Sequence, residues 1–194
     1  MAAFRLFIAI NLPREIKQKL KQLQDKLAAD ISPKAVAWTR SEQCHLTLNF
    51  LDNIEAEKIS GLLGSVRDKA CGFASFQLRA AGMGVFPDAR RPHLIWVSVQ
   101  SSADELQALQ LASSDAVRDL VPPEGKIFVG HITVGRAKEL GKRDVQLIAN
   151  FVRTHAGVTL GSWTCESIEL MRSELSSAGA VHTVYESIPL GVVC

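Results

Sequence analysis

Two of the five histidines in the chain head the same four-residue pattern, His45-Leu46-Thr47-Leu48 and His131-Ile132-Thr133-Val134. On an extended strand, residues two apart share a face. Each pattern therefore sets an imidazole and a hydroxyl on one side and apolar residues on the other: Leu46, Leu48 and, by the same alternation, Phe50 in the first, Ile132 and Val134 in the second. Imidazole is the side chain that changes charge between pH 5 and 8, and a hydroxyl can donate to an anionic oxygen. Two of each in one cleft would form a phosphate site in which threonines hold non-bridging oxygens and histidines move protons. One such pattern describes any half-exposed strand. The second copy is what points to chemistry.

The elements that must position these residues can be read from periodicity. FRLFIAIN at 4–11 is a short apolar run closed by Pro13, which reads as a buried strand. Ile16, Leu20, Leu23 and Leu27 recur at helical steps behind it. CHLTLNFL at 44–51 alternates as a half-buried strand does, Ile59 to Val66 marks a second helix, and 73–80 is strand-like. The order then repeats. LIWVSV at 94–99 reads as a strand, Leu106 to Leu120 as a longer helix, IFVGHITV at 127–134 as a strand and Val145 to Val152 as a helix. Strand patterns at 163–170 and 182–188 close the chain, and loops are expected at 82–92 and 121–126. Leu6 precedes His45 by 39 positions and Leu94 precedes His131 by 37, so both histidines follow a strand–helix unit of nearly equal length. An internal duplication within residues 1–194 is the expectation, with helices packed on antiparallel sheets in the α+β class.

The composition is that of a globular protein: 47% apolar, 22% charged and a formal net charge of +2. That balance excludes a polybasic binder, so contact with nucleic acid must be local. No apolar run approaches the ~18–20 residues that span a bilayer. Arg5 and the charged Pro13-Arg14-Glu15 stretch argue against a signal peptide. Cys44, Cys71, Cys165 and Cys194 form no CxxC pair and suggest neither a zinc finger nor a disulfide framework, so a reducing, cytoplasmic setting is expected.

With these residues in view, the chain resembles the two-histidine (2H) phosphoesterases, and among them the RNA 2′,3′-cyclic phosphodiesterases, also called 2′-5′ RNA ligases. The likeness runs nearly end to end: RLFIAINLP at 5–13, HLTLNFL at 45–51, GMGVFP at 82–87, HLIWVSV at 93–99, HITVGR at 131–136, then ELMRSEL and YESIPL. It implies a bilobal α+β fold of two pseudo-symmetric lobes with a central cleft. It makes His45 and His131 catalytic, and Thr47, Thr133 and Arg136 ligands of the substrate phosphate. Three positions depart from the family pattern: Gly130 stands where proline is common, His182 where tyrosine is, and His93 where arginine is. Alternation along the strand puts Arg136 opposite His131, so it reaches the cleft only if the strand ends or bulges there.

Other residues carry less. Cys44 and His45 are neighbours on a strand and face opposite sides, so they make a poor nucleophile pair. His93, His155 and His182 lack metal-ligand spacing, and Gly82-Met83-Gly84 lacks the context of a nucleotide fingerprint. Arg90 and Arg91 suit RNA phosphates or a solvated loop, and the three tryptophans suit the core or the cleft wall. The expected enzyme needs no metal or other cofactor. It is a cytoplasmic monomer that opens the 2′,3′-cyclic phosphate at an RNA end, with His131 activating water and His45 protonating O3′. With a 5′-hydroxyl in place of water, the same groups would join such an end through a 2′-5′ bond. The alternatives are a diesterase for a small cyclic nucleotide and a non-catalytic RNA-end binding module.

Overall fold

The apolar run after Ala2 becomes β1 (Ala3–Asn11), whose Leu6, Ile8 and Ile10 are buried on one face while Phe7 and Ala9 are buried on the other. The structure is a computed structural model that describes residues 2–122, 125, 127–176 and 179–191. Pro13 leads into α1 (Arg14–Ala28), which buries Ile16, Leu20, Leu23 and Leu27, the four apolar positions of its periodic stripe. A short β2 (Val36–Trp38) and a 3₁₀ turn at Ser41–Gln43 lead into β3 (His45–Glu55), and α2 (Ile59–Ala70) follows. Then come β4 (Phe76–Phe86), β5 (Leu94–Ser101), α3 (Glu105–Ala116), β6 (His131–Ala137) and α4 (Lys142–Thr154). Strands β7 (Thr159–Cys165), β8 (Ser167–Ser176) and β9 (Gly179–Pro189) close the chain.

Among the described residues the strands form one nine-stranded sheet, in the order β7-β4-β5-β6-β3-β1-β8-β9, with β2 paired to β6. Every ladder is antiparallel. The order reads outward from the β3–β6 contact in two matching halves. The first lobe is β3-β1-β8-β9 and the second is β6-β5-β4-β7. The helices lie on one side, and two of them cross between lobes. Helix α1 leaves β1 of the first lobe and packs on β6 and β7 of the second; α3 leaves β5 of the second and packs on β3 and α2 of the first. Buried residues of both lobes merge there into one apolar core, while Phe7, Ala9 and Met171 form a small cluster on the other face.

Four sequence expectations are corrected. Residues 82–86 are strand, because Gly82 takes a positive φ (81°) at a register shift and lets β4 run on to Phe86. The strand expected at 127–134 begins only at His131; Ile127 is 92% exposed and has no ladder to bury it. The strand expected at 163–170 is two, β7 in the second lobe and β8 in the first, broken at Glu166 where the chain changes lobe. Cys71 is disulfide-bonded whereas Cys44 and Cys165 are free and buried, because pairing depends on approach in space, which spacing in sequence does not report. Of the loop expected at 121–126, Pro123, Glu124 and Lys126 lie outside the described residues. Among those residues no helix is long and apolar enough to cross a membrane.

Candidate active site

Strands β3 and β6 pair at a single position, Leu46 with Ile132, and both side chains are fully buried on the helix side. Residues flanking that pair therefore face the open side. Continuing the antiparallel register sets His45 beside Thr133 and Thr47 beside His131, so each histidine stands next to the other lobe's threonine. On such a ladder the two histidines are diagonal neighbours, about 7–8 Å apart at Cα.

Both rings are held in the same way. His45 Nδ1 lies 2.8 Å from the carbonyl of Gln43, and His131 Nδ1 lies 2.7 Å from the carbonyl of Val129, in each case two residues back. A carbonyl only accepts, so each neutral ring carries its proton on Nδ1 and keeps its lone pair on Nε2. Each ring also has two aromatic neighbours. His45 lies on Phe7 (4.8 Å between centroids) with His182 edge-on at 5.2 Å. His131 meets Phe86 edge-on at 5.3 Å and Trp96 at 6.2 Å. The indole of Trp96 occupies the space above Gly84, where a Cβ would come within 2.1 Å of the ring. Gly130 is equally constrained, since a Cβ there would lie 2.5 Å from the Val99 carbonyl oxygen. Its place ahead of His131 is thus set by a close strand approach.

Burial pushes the His45 pKa down to about 4, opposed by the Gln43 carbonyl and assisted by His182 and Lys17. His182 is lowered as well, by burial and then by Arg5. Cys44 is buried with its thiol pushed up to about 12 by desolvation, and its Sγ faces the Thr133 carbonyl at 3.8 Å. It is not an activated nucleophile.

A β-bulge follows each threonine. In β3 the register skips Leu48, between Thr47 opposite Ala9 and Asn49 opposite Ile8. In β6 it skips Val134, between Thr133 opposite Trp96 and Gly135 opposite Ile95. The extra residue reverses the alternation beyond it. Arg136, opposite Leu94, therefore shares the open face with Thr133 and is exposed. Phe50, opposite Phe7, likewise turns to the open face, where it is 50% exposed and 6.2 Å from the Phe7 ring. The core position expected for Phe50 is thereby corrected: strict alternation fails at the bulge. The buried Gln24 amide donates to the carbonyls of Thr39 and Val134, both at 2.7 Å, and so satisfies the backbone where β6 bulges. The sequence patterns gave Gln24 no part in the site, set Phe50 in the core and Gly84 in a loop. Gln24 is a polar residue on the buried face of α1, between Leu23 and Leu27.

Of the other candidates, His93 joins the ladder end near Arg136, its carbonyl accepting from Ala137 N–H at 2.9 Å. Arg90 and Arg91 line an open hollow with Pro87 and Asp88 beyond Phe86. His155 stacks on Phe151 at the end of α4, away from the cleft.

The chain has relatives among known proteins. The model of the LigT-like phosphoesterases matches residues 10–96, a stretch that includes His45 and ends at Trp96. An RNA 2′,3′-cyclic phosphodiesterase of Methanothermobacter thermautotrophicus is 30% identical over 94% of this chain and 96% of its own. One from Aquifex aeolicus is 27% identical over 98% of this chain and 100% of its own. A crystal structure from Thermus thermophilus superposes with a TM-score of 0.79 at 28% identity, covering 96% of this chain and 98% of the other. The family model covers the first histidine strand and the relatives span both, and by the match to the Methanothermobacter enzyme over nearly the whole chain this protein belongs to the LigT-like phosphoesterase family.

Proposed function

We propose that this protein hydrolyses the terminal 2′,3′-cyclic phosphate of RNA to a 2′-phosphate, using His45 and His131 as its acid–base pair. The observation that carries the reading is the matched pair of imidazoles on one sheet face, each with Nδ1 held by a carbonyl and Nε2 left for proton transfer. The relatives named above as RNA 2′,3′-cyclic phosphodiesterases supply the substrate class.

In this reading the cyclic phosphate sits between the rings. His131 Nε2 takes a proton from water as the water oxygen bonds to phosphorus. The P–O3′ bond breaks, and His45 Nε2 gives its proton to O3′. Thr47 and Thr133 donate to the non-bridging oxygens as their charge grows. Arg136 adds a cation at the second-lobe end of the same face, and the exposed Phe50 ring takes the matching place in the first lobe. With a 5′-hydroxyl in place of water, the same groups acting in the same direction form a 2′-5′ bond: the hydroxyl gives its proton to the base as its oxygen bonds to phosphorus, and the P–O3′ bond breaks as before. The matching bulges and ring anchors also support reading the single domain as an internal duplication.

One observation favours the opposite assignment of roles. Burial keeps His45 neutral in the free protein, which suits a base; to act as acid it needs the phosphodiester's negative charge to draw a proton in. The test of the function is direct: incubate the protein with an oligonucleotide ending in a 2′,3′-cyclic phosphate and identify the product phosphate, with and without excess EDTA. A 2′-phosphate formed at the same rate in both arms is expected, because imidazole supplies the proton chemistry. A 3′-phosphate product, no turnover, or loss on chelation restored by a divalent ion would overturn the mechanism. Turnover of mononucleotide rings alone would shift the substrate to a small cyclic nucleotide.

A further inference from the structure

His182 lies on β9, paired with Ser173 of β8, on the open face of the first lobe. Its ring is perpendicular to two others at once, 5.1 Å from Phe7 and 5.2 Å from His45. Its Nδ1 is buried and has no hydrogen-bond partner among the described residues. Its backbone is clamped by Gln43: the His182 N–H donates to Gln43 Oε1, and Gln43 Nε2 donates to the His182 carbonyl at 3.4 Å. Gln43 is also the residue whose carbonyl anchors His45 Nδ1. One side chain and its own carbonyl thus tie the two histidines together. In the second lobe the corresponding edge-on neighbour of His131 is Phe86, which cannot take a proton.

We infer that His182 is a positioning residue for His45: with Phe7 it walls the ring, and through Gln43 it fixes where His45 Nε2 points. This rests on the reading that His45 transfers a proton. Unlike Phe86, the wall itself is titratable. Two imidazoles in edge contact repel when both are charged, so one proton on the pair opposes a second. The fixed charges around the pair are Arg5 on β1, which is ion-paired to Asp52 at 3.8 Å, and Lys17 on α1, which donates to the Glu42 carbonyl. Glu169 of β8 shares the face opposite Ala9, but its oxygens accept from Asn11 N–H and Ser167 Oγ. The cations oppose charging of either ring, and an entering phosphodiester favours it.

His182→Ala removes the wall and the proton site, whereas His182→Phe keeps a ring as the second lobe does. The expected outcome is a loss of about 10-fold in kcat for His182→Ala with KM changed less than about twofold, since a misaligned ring costs the chemical step and not binding. His182→Phe should restore kcat at neutral pH to within about threefold. NMR titration of the His45 ring in the free protein gives a second readout. Wild type should titrate over a broader range than one site, His182→Phe as a single site, and added inorganic phosphate should move the wild-type curve upward. A His182→Ala enzyme with wild-type kcat, or a one-site His45 curve in wild type, overturns the inference. His45→Gln is measured beside them. If it is active, His45 itself is misread; if it is inactive while His182→Ala behaves as wild type, only the role of His182 fails.

Discussion

In the proposed mechanism each histidine works through Nε2, the nitrogen that the backbone does not hold. Removing either imidazole by His45→Ala or His131→Ala should lower kcat by ~10²–10⁴ with the fold intact, the scale of a lost general acid or base. Thr47→Val and Thr133→Val keep shape and lose a donor, so about 10- to 10³-fold is expected. The pH profile then assigns the roles. In the wild-type bell, loss of the base flattens the acidic limb and loss of the acid the alkaline limb. His131→Ala should flatten the acidic limb; if His45→Ala does so instead, the roles are reversed. Because bound phosphodiester favours charged imidazole, the kcat bell should lie alkaline of the kcat/KM bell. The depressed His45 pKa also carries a stability consequence. The unfolded chain takes up the proton near pH 6.5 and the folded chain only near 4, so stability falls as pH drops through that window and is fully present above it. The upper bound is about 3 kcal/mol, from 1.36 kcal/mol per unit. Urea melts at pH 4 and pH 7 on wild type and His45→Gln check it: the difference should shrink in the variant, and an unchanged difference would remove His45 as its source.

Among the elements, the bulges decide which residues join the site. A classic bulge turns two successive side chains the same way. Leu48 and Asn49 both lie toward the helices, where Asn49 donates to Ser114 Oγ of α3 at 2.6 Å, and Phe50 is left facing the cleft. The same step in β6 brings Arg136 round. The β4–β5 ladder makes a different provision, a glycine opposite a tryptophan, so that the indole can lie over Gly84 with its ring 6.2 Å from that of His131. Gly84→Ala would place a methyl group inside that ring. Overpacking of this kind costs about 1–3 kcal/mol, which for a domain of this size lowers Tm by roughly 2–4 °C per kcal/mol. Calorimetry measures the first effect, and tryptophan fluorescence and kcat report the displaced wall of His131. A variant with unchanged Tm, fluorescence and kcat would show that the ring is free to move aside.

At the scale of the whole molecule, the crossed helices make the lobes interdependent. Lys19 of α1 donates to the Leu160 carbonyl of β7 at 2.5 Å, and Gln24 of the same helix reaches β6. In return α3 joins α2 under the first lobe, where Lys69 meets Asp115 at 2.5 Å. Neither lobe can lose its own strands without uncovering the other's core. A single unfolding transition is therefore expected, with fluorescence and far-UV circular dichroism coincident in urea. Two separated transitions would show that the lobes melt independently.

What the sequence by itself determined is local and periodic. The two HxTx patterns, the stripe of α1, the apolar run of β1 and the near-equal spacing of two strand–helix units were legible because burial on one face imposes periods of two and 3.6 on neighbouring residues. The same patterns carried the family resemblance that the comparisons bear out. What only the tertiary structure decided is whatever depends on approach between distant segments. Which threonine stands beside which histidine follows from one cross-lobe pair, Leu46 with Ile132. The inclusion of Arg136 and the exit of Phe50 from the core follow from bulges that leave no composition signal in Leu48 or Val134. The third imidazole, 137 positions beyond His45, meets it only because β8 and β9 fold back along β1. Strand alternation is a property of one chain segment, whereas register, helix exchange and the desolvation that lowers the His45 pKa belong to the packed molecule.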